Sequence, residues 1–283
     1  MTDEETNLPT ELPEGVELPD PEHIPDGPDE ARMPIIEHLR ELRTRLIRAL
    51  IALVVGFAVA YLISDQLFAA LTWPIREVSH GKVMLIGTGV GEAFFTKIKV
   101  ALVAGLFIAS PAVFYEIWKF IVPGLYKSER RMAAPFIISA TIFFILGGYF
   151  CWAVVFKVGY TFFLSEYASI GVTPTIRISE YLAFSTKLML AFALTFEMPI
   201  FAYFLTRLGI IDHRMMLRQV SYAVLGIFVV AAMLTPPDMV SQFLLAIPLL
   251  LLYALSVGVS YLFRLPHEEP APDAEGSDGS EVS

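Results

Sequence analysis

The sequence is poor in the residues on which most enzyme and metal chemistry depends. Its single cysteine, Cys151, excludes an internal disulfide and reports no redox compartment. Five histidines (His23, His38, His80, His213 and His267) are scattered, with no spacing that favours a metal site. The glycine-rich stretch Gly87-Thr88-Gly89-Val90-Gly91 lacks the Lys-Ser/Thr of a nucleotide-binding loop and reads as the end of a loop. No Ser/His/Asp or Cys/His set stands at a defensible spacing. The first residues have neither the positive start nor the apolar stretch of a cleavable signal peptide. These absences point away from an enzyme, and no cofactor, metal or nucleic-acid partner is expected.

Basic residues are absent from both ends. Residues 1–31 carry 11 acids and residues 265–283 carry 6, with no Lys or Arg in either. The net charge of -9 therefore hides a basic middle, since residues 32–264 hold 12 acids and all 20 bases. The tails are acidic, contain proline and are poor in apolar residues, a composition that predicts disorder. Three parts follow: an acidic tail over 1–31, a membrane domain over 32–264 and a second acidic tail over 265–283.

What the chain has in quantity is apolar sequence: 55% of residues are hydrophobic, in long runs. Six runs, at about 46–64, 93–117, 133–156, 181–205, 220–234 and 239–263, predict an all-α polytopic membrane protein. The fifth run, of 15 residues, is short, roughly 22 Å as a helix. With the N-terminus in the cytoplasm, 13 Lys and Arg fall in cytoplasmic segments and 4 (Arg76, Lys82, Lys157 and Arg177) in outer loops. This asymmetry predicts six spans with both termini cytoplasmic. Prolines interrupt the even-numbered runs at Pro111, Pro199 and Pro248, each followed closely by a tyrosine. Kinks there would curve one wall of the bundle, although membrane helices also tolerate proline without consequence.

Two glutamates stand at the edges of runs, on the face predicted to be cytoplasmic. Glu41 lies in His38-Leu39-Arg40-Glu41-Leu42-Arg43-Thr44-Arg45. Glu129 lies in Lys127-Ser128-Glu129-Arg130-Arg131. Glu41 is also placed for a helical pair with Arg45, and Glu129 for the first turn of a helix capped by Ser128. A carboxylate among cations at a membrane edge can instead take an arginine from a partner through two parallel hydrogen bonds. Glu197, well inside the fourth run, is an expensive intramembrane acid and is expected to be functional or to donate a hydrogen bond to a helix. Pro236-Pro237-Asp238 predicts a rigid turn, with Thr235 and Gln242 as polar groups able to contact a neighbouring helix.

Together these segments resemble the TatC family, the multispanning subunit of the twin-arginine protein translocase. The resemblance rests on the His38–Arg45 motif, Glu92-Ala93-Phe94-Phe95, Ser110-Pro111 and the Trp118-to-Tyr126 stretch. It is extended by Glu129-Arg130-Arg131, Phe196-Glu197-Met198-Pro199 and Thr235-Pro236-Pro237-Asp238 with Ser241-Gln242. It covers residues 34–263 and leaves the acidic tails unexplained. It implies six helices in a cupped arrangement in the plasma membrane, in complexes with several copies of the subunit. It implies that Glu41 and Glu129, with Arg43 and Phe120 nearby, bind the paired arginines of signal peptides. It also implies that Glu197 faces the concave side, and that Thr235 and Gln242 contact the single-span partners TatA and TatB. Transport of folded proteins would draw on the proton motive force. The competing reading is a solute transporter with Glu197 as proton carrier, but the sequence shows no convincing internal repeat.

Overall fold

A computed structural model describes residues 35–121, 133–236 and 238–263. Glu129, Pro237 and both acidic tails lie outside the described residues. The helices are α1 (Ile35–Leu62), α2 (Ser64–Val78), α3 (Glu92–Ile121), α4 (Ala133–Phe150) and α5 (Phe156–Ser169). They continue as α6 (Ile178–Thr195), α7 (Met198–Arg207), α8 (His213–Arg218), α9 (Val220–Leu234) and α10 (Met239–Leu262). A π-helical turn, Cys151–Val155, joins α4 to α5. Among the described residues, five helical segments are long and apolar enough to cross a membrane, and α9 is a shorter sixth. All six apolar runs are thus helical, and the chain is an all-α polytopic membrane protein.

The spans differ from the sequence expectation at their ends and in their continuity. The first apolar run is preceded by helix from Ile35, as the apolar spacing of Ile35, Leu39, Leu42 and Leu46 predicts, so the basic Glu41 motif continues the membrane helix. The third passes through the π turn to Ser169. The fourth run is two helices, because Phe196 and Glu197 interrupt it. Pro199 therefore occupies the first turn of α7, where a missing N–H costs nothing, and does not sit inside a helix.

Pro74 and Pro111 lie inside continuous helices, and each strips its i−4 carbonyl of a partner. Both carbonyls find another donor. Ser110 Oγ donates to Phe107 O at 2.8 Å. Trp152 Nε1 donates to Ala70 O at 2.8 Å, which also fastens α2 to the π turn. In the hydrocarbon of a membrane an unpaired carbonyl has no water to turn to, so such substitutes keep a proline tolerable.

Small residues set the closest helix contact. A Cβ on Gly105 would lie 2.6 Å from Phe57 N and 2.7 Å from Phe57 Cα, and one on Gly56 would collide with Gly105 O. Helices α1 and α3 run antiparallel in backbone contact there, as small residues allow in membranes. Farther along the bundle α3 packs on α4 and α6, and α10 packs on α7 and α9.

Alternation of the spans defines two faces. The first holds the starts of α1 and α4 and the ends of α3 and α7. The second holds α2, a helix absent from the sequence expectation. It also holds a two-stranded parallel pairing of β1 (Met84–Ile86) with β2 (Thr175–Arg177). Glu92 ties this face together. Its Oε2 accepts from Thr88 N at 2.6 Å and Gly89 N at 3.0 Å, and its Oε1 from Ser179 N at 3.1 Å. Arg177 reinforces the joint by donating to Thr88 Oγ1 at 2.8 Å.

Candidate functional site

Helices α1 and α3 build a site at the first face. From the Gly56–Gly105 contact, eleven residues back along α1 reaches Arg45, and eleven forward along α3 reaches Glu116. Eleven residues make about three turns, so both side chains return to the shared face. Arg45 Nη2 and Nε donate to Glu41 Oε1 at 2.9 and 3.3 Å, and Nη1 donates to Glu116 Oε2 at 3.3 Å. The i, i+4 pair expected between Glu41 and Arg45 is present, but it extends to a third residue. One turn beyond, the rings of His38 and Phe120 stack with centroids 4.4 Å apart. The opposite side of α3 anchors the site, where Trp118 is buried against Phe136 and Phe204.

One feature of this cluster is unbalanced. Glu41 Oε2 is buried and has no hydrogen-bond partner among the described residues. A carboxylate at a membrane edge with one satisfied and one unsatisfied oxygen carries an unused acceptor, which is costly unless something is to fill it. Arg43 points away from this cluster's bonds: it is exposed and forms no ion pair among the described residues. Glu116 was not singled out from sequence. Its only signal is position, opposite Arg45 once the glycine contact fixes the register.

Glu197 occupies a different place, at the break between α6 and α7. It is 2% exposed, and neither carboxylate oxygen has a partner among the described residues. The hydrogen bond to a helix expected from sequence is absent. Its backbone is satisfied, since Glu197 N donates to Leu194 O at 3.2 Å and Phe201 N donates to Glu197 O at 2.9 Å. The wall beside it is tight: a Cβ on Gly147 of α4 would lie 2.7 Å from Phe192 O and 2.9 Å from Phe196 Cβ.

Thr235 and Gln242 lie at the second face, and both spend their donors inside the chain. Thr235 Oγ1 donates to Ala231 O at 2.9 Å, and Gln242 Nε2 donates to Phe228 O at 3.0 Å. Gln242 thereby pins α10 to α9. Between them Asp238 caps α10, accepting from Ser241 N at 2.7 Å, with Ser241 Oγ close to its other oxygen. Pro236 O accepts from Asp238 N at 2.7 Å and tightens the turn. Structure thus separates the singled-out residues into three places: Glu41 with Phe120, Glu197 alone, and Thr235 with Gln242.

Comparison with known proteins decides the family. The model of the Sec-independent protein translocase protein TatC matches residues 37–248. The chain belongs to the TatC family. A TatC of Desulforapulum autotrophicum is 40% identical over 252 residues, covering 88% of this chain and 93% of its own. One from Magnetococcus marinus is 39% identical, covering 81% and 84%. A crystal structure of the twin-arginine translocase receptor TatC superimposes with a TM-score of 0.73 at 36% identity, covering 80% of this chain and 99% of that one. As a TatC the chain is a multi-pass subunit of a Sec-independent protein translocase, a transport role within a membrane complex.

Proposed function

We propose that this TatC chain is the signal-peptide receptor of a twin-arginine translocase. In this reading Glu41 and Glu129 bind the two arginines, beside Arg43 and the Phe120 ring. The chain resides in the plasma membrane, with both termini and the Glu41 site in the cytoplasm. TatA- and TatB-type single-span proteins are its partners, with Thr235, Gln242 and Glu197 on the surfaces they contact. Several TatC copies share each complex, and the proton motive force drives passage of folded cargo. The observation that supports this most is Glu41 Oε2, which has no partner among the described residues, on the helix that also carries His38 of the His38–Phe120 stack. Glu129 follows α3 by eight residues in sequence.

The test is crosslinking of a twin-arginine peptide to the purified complex. Glu41→Gln and Glu129→Gln are expected to abolish it, and a twin-lysine peptide to bind at least about tenfold worse, because ammonium cannot bridge both carboxylate oxygens. Undiminished crosslinking to the double variant would overturn the receptor reading.

A further inference from the structure

The cluster at the first face contains two carboxylates and one guanidinium. A guanidinium pairs best with both oxygens of one carboxylate. Arg45 does not do so. Both of its bonds to Glu41 land on Oε1, and its remaining Nη1 reaches across to Glu116. Glu116 belongs to the other helix and its side chain is only 13% exposed, so its charge is poorly screened by solvent. Glu116 thus holds Arg45 partly off Glu41, and the second oxygen of Glu41 has no partner among the described residues. With all three groups ionised, the formal charge of the trio is negative by one.

We propose that Glu116 is a specificity-determining residue of this site: by sharing Arg45 it keeps the cluster one cation short, so that Glu41 takes up a guanidinium from a peptide. The inference rests on the receptor reading above and adds a residue to it. When the incoming guanidinium reaches Glu41, Arg45 remains held by Glu116, and two acids then face two cations. With a neutral side chain at 116, Arg45 keeps Glu41 as its one acidic partner among the described residues. It then occupies Glu41 from within the same helix and repels the newcomer. The role is thus one of charge balance. A plain tether between α1 and α3 would need only a hydrogen bond, which glutamine also makes.

The test is fluorescence-anisotropy binding of a labelled twin-arginine peptide to the full chain in detergent, across a charge series. Glu116→Gln is expected to weaken binding about three- to fivefold, the upper part of the range for one partly exposed ion pair. Arg45→Gln, which removes the internal competitor, is expected to bind at least as tightly as the parent. The double variant Glu116→Gln with Arg45→Gln restores the negative charge and returns to within about twofold of the parent. A tether predicts the opposite for the double variant, which would then bind no better than Glu116→Gln, and that result overturns the proposal. It is also overturned, with the receptor reading intact, if Glu116→Gln binds normally while Glu41→Gln does not. If Glu41→Gln binds normally, the receptor reading fails and the proposal with it. Should Glu116→Gln fail to fold, Arg45→Gln alone decides, and weaker binding there overturns the proposal.

Discussion

Arg45 on α1 lies opposite Glu116 on α3, Nη1 to Oε2 3.3 Å, each eleven residues from the glycine of its own helix, Gly56 or Gly105, at the crossing. The same register puts Glu41 opposite Phe120. The register of the Glu41–Arg45–Glu116 cluster is therefore set by a glycine contact about 16 Å away along the helix axis.

That dependence can be measured. Gly105→Ala forces its new methyl into the backbone of Phe57, which must shift. Overpacking of this kind costs about 1–3 kcal/mol, so the melting temperature in detergent should fall. Peptide binding should fall too, although residue 105 is remote from the ligand. Gly159→Ala, where a Cβ meets nothing within 4 Å, is the control and should leave both unchanged.

The proline carbonyls give a second prediction. Ser110→Ala removes the donor to Phe107 O, and Trp152→Phe removes the donor to Ala70 O. Each leaves a carbonyl unpaired and should cost about 1–3 kcal/mol of thermal stability. Placing alanine at 111 in the Ser110→Ala background restores the backbone bond and should recover most of the loss. Absence of recovery would show that Ser110 matters for some other reason.

Glu197 should separate stability from activity. A buried acid without a partner gains nothing from its charge, so Glu197→Leu should melt no lower than the parent, and by the precedent of apolar replacements of buried ions often higher. Export of a folded twin-arginine reporter should nevertheless be lost. Normal export by Glu197→Leu would mean that the carboxylate is not used.

The cap of α10 is a local test. Asp238→Ala deprives Ser241 N of its acceptor and should cost about 1 kcal/mol. Asp238→Asn keeps the acceptor and should melt within a few tenths of a kcal/mol of the parent. Gln242→Leu frees Phe228 O and loosens α10 from α9, so it should lower stability even without partners present.

The six passes were legible because long apolar runs allow no other solvent, and the Glu41–Arg45 pair because i, i+4 spacing is local. What was not legible needed contacts between distant segments. Helix α2 mixes Asp65, Arg76 and Glu77 with apolar residues, and only burial of Leu71, Thr72 and Ile75 against the bundle shows which side matters. Glu116 sits in a stretch that reads as the end of a span, and its partner is 71 residues away. The sequence marked Glu197 as expensive and Pro199 as a breaker, yet read them inside one helix. The observed break puts the acid at the joint and the proline just past it. The turn at Pro236 and Asp238 was legible, but the bonds of Thr235 to Ala231 O and of Gln242 to Phe228 O were not, since the latter needs α9 and α10 side by side.

Glu92 has a mechanical consequence. One carboxylate grips the amides leading into α3 and into α6, two spans that also pack on each other within the bundle. Spans riveted at one rim have a fulcrum there. A ligand pressing on the far tips of α1 and α3 then works on a lever arm the full thickness of the membrane. Small displacements near Glu41 would be carried as rotation about that rivet, and little would be lost as sliding.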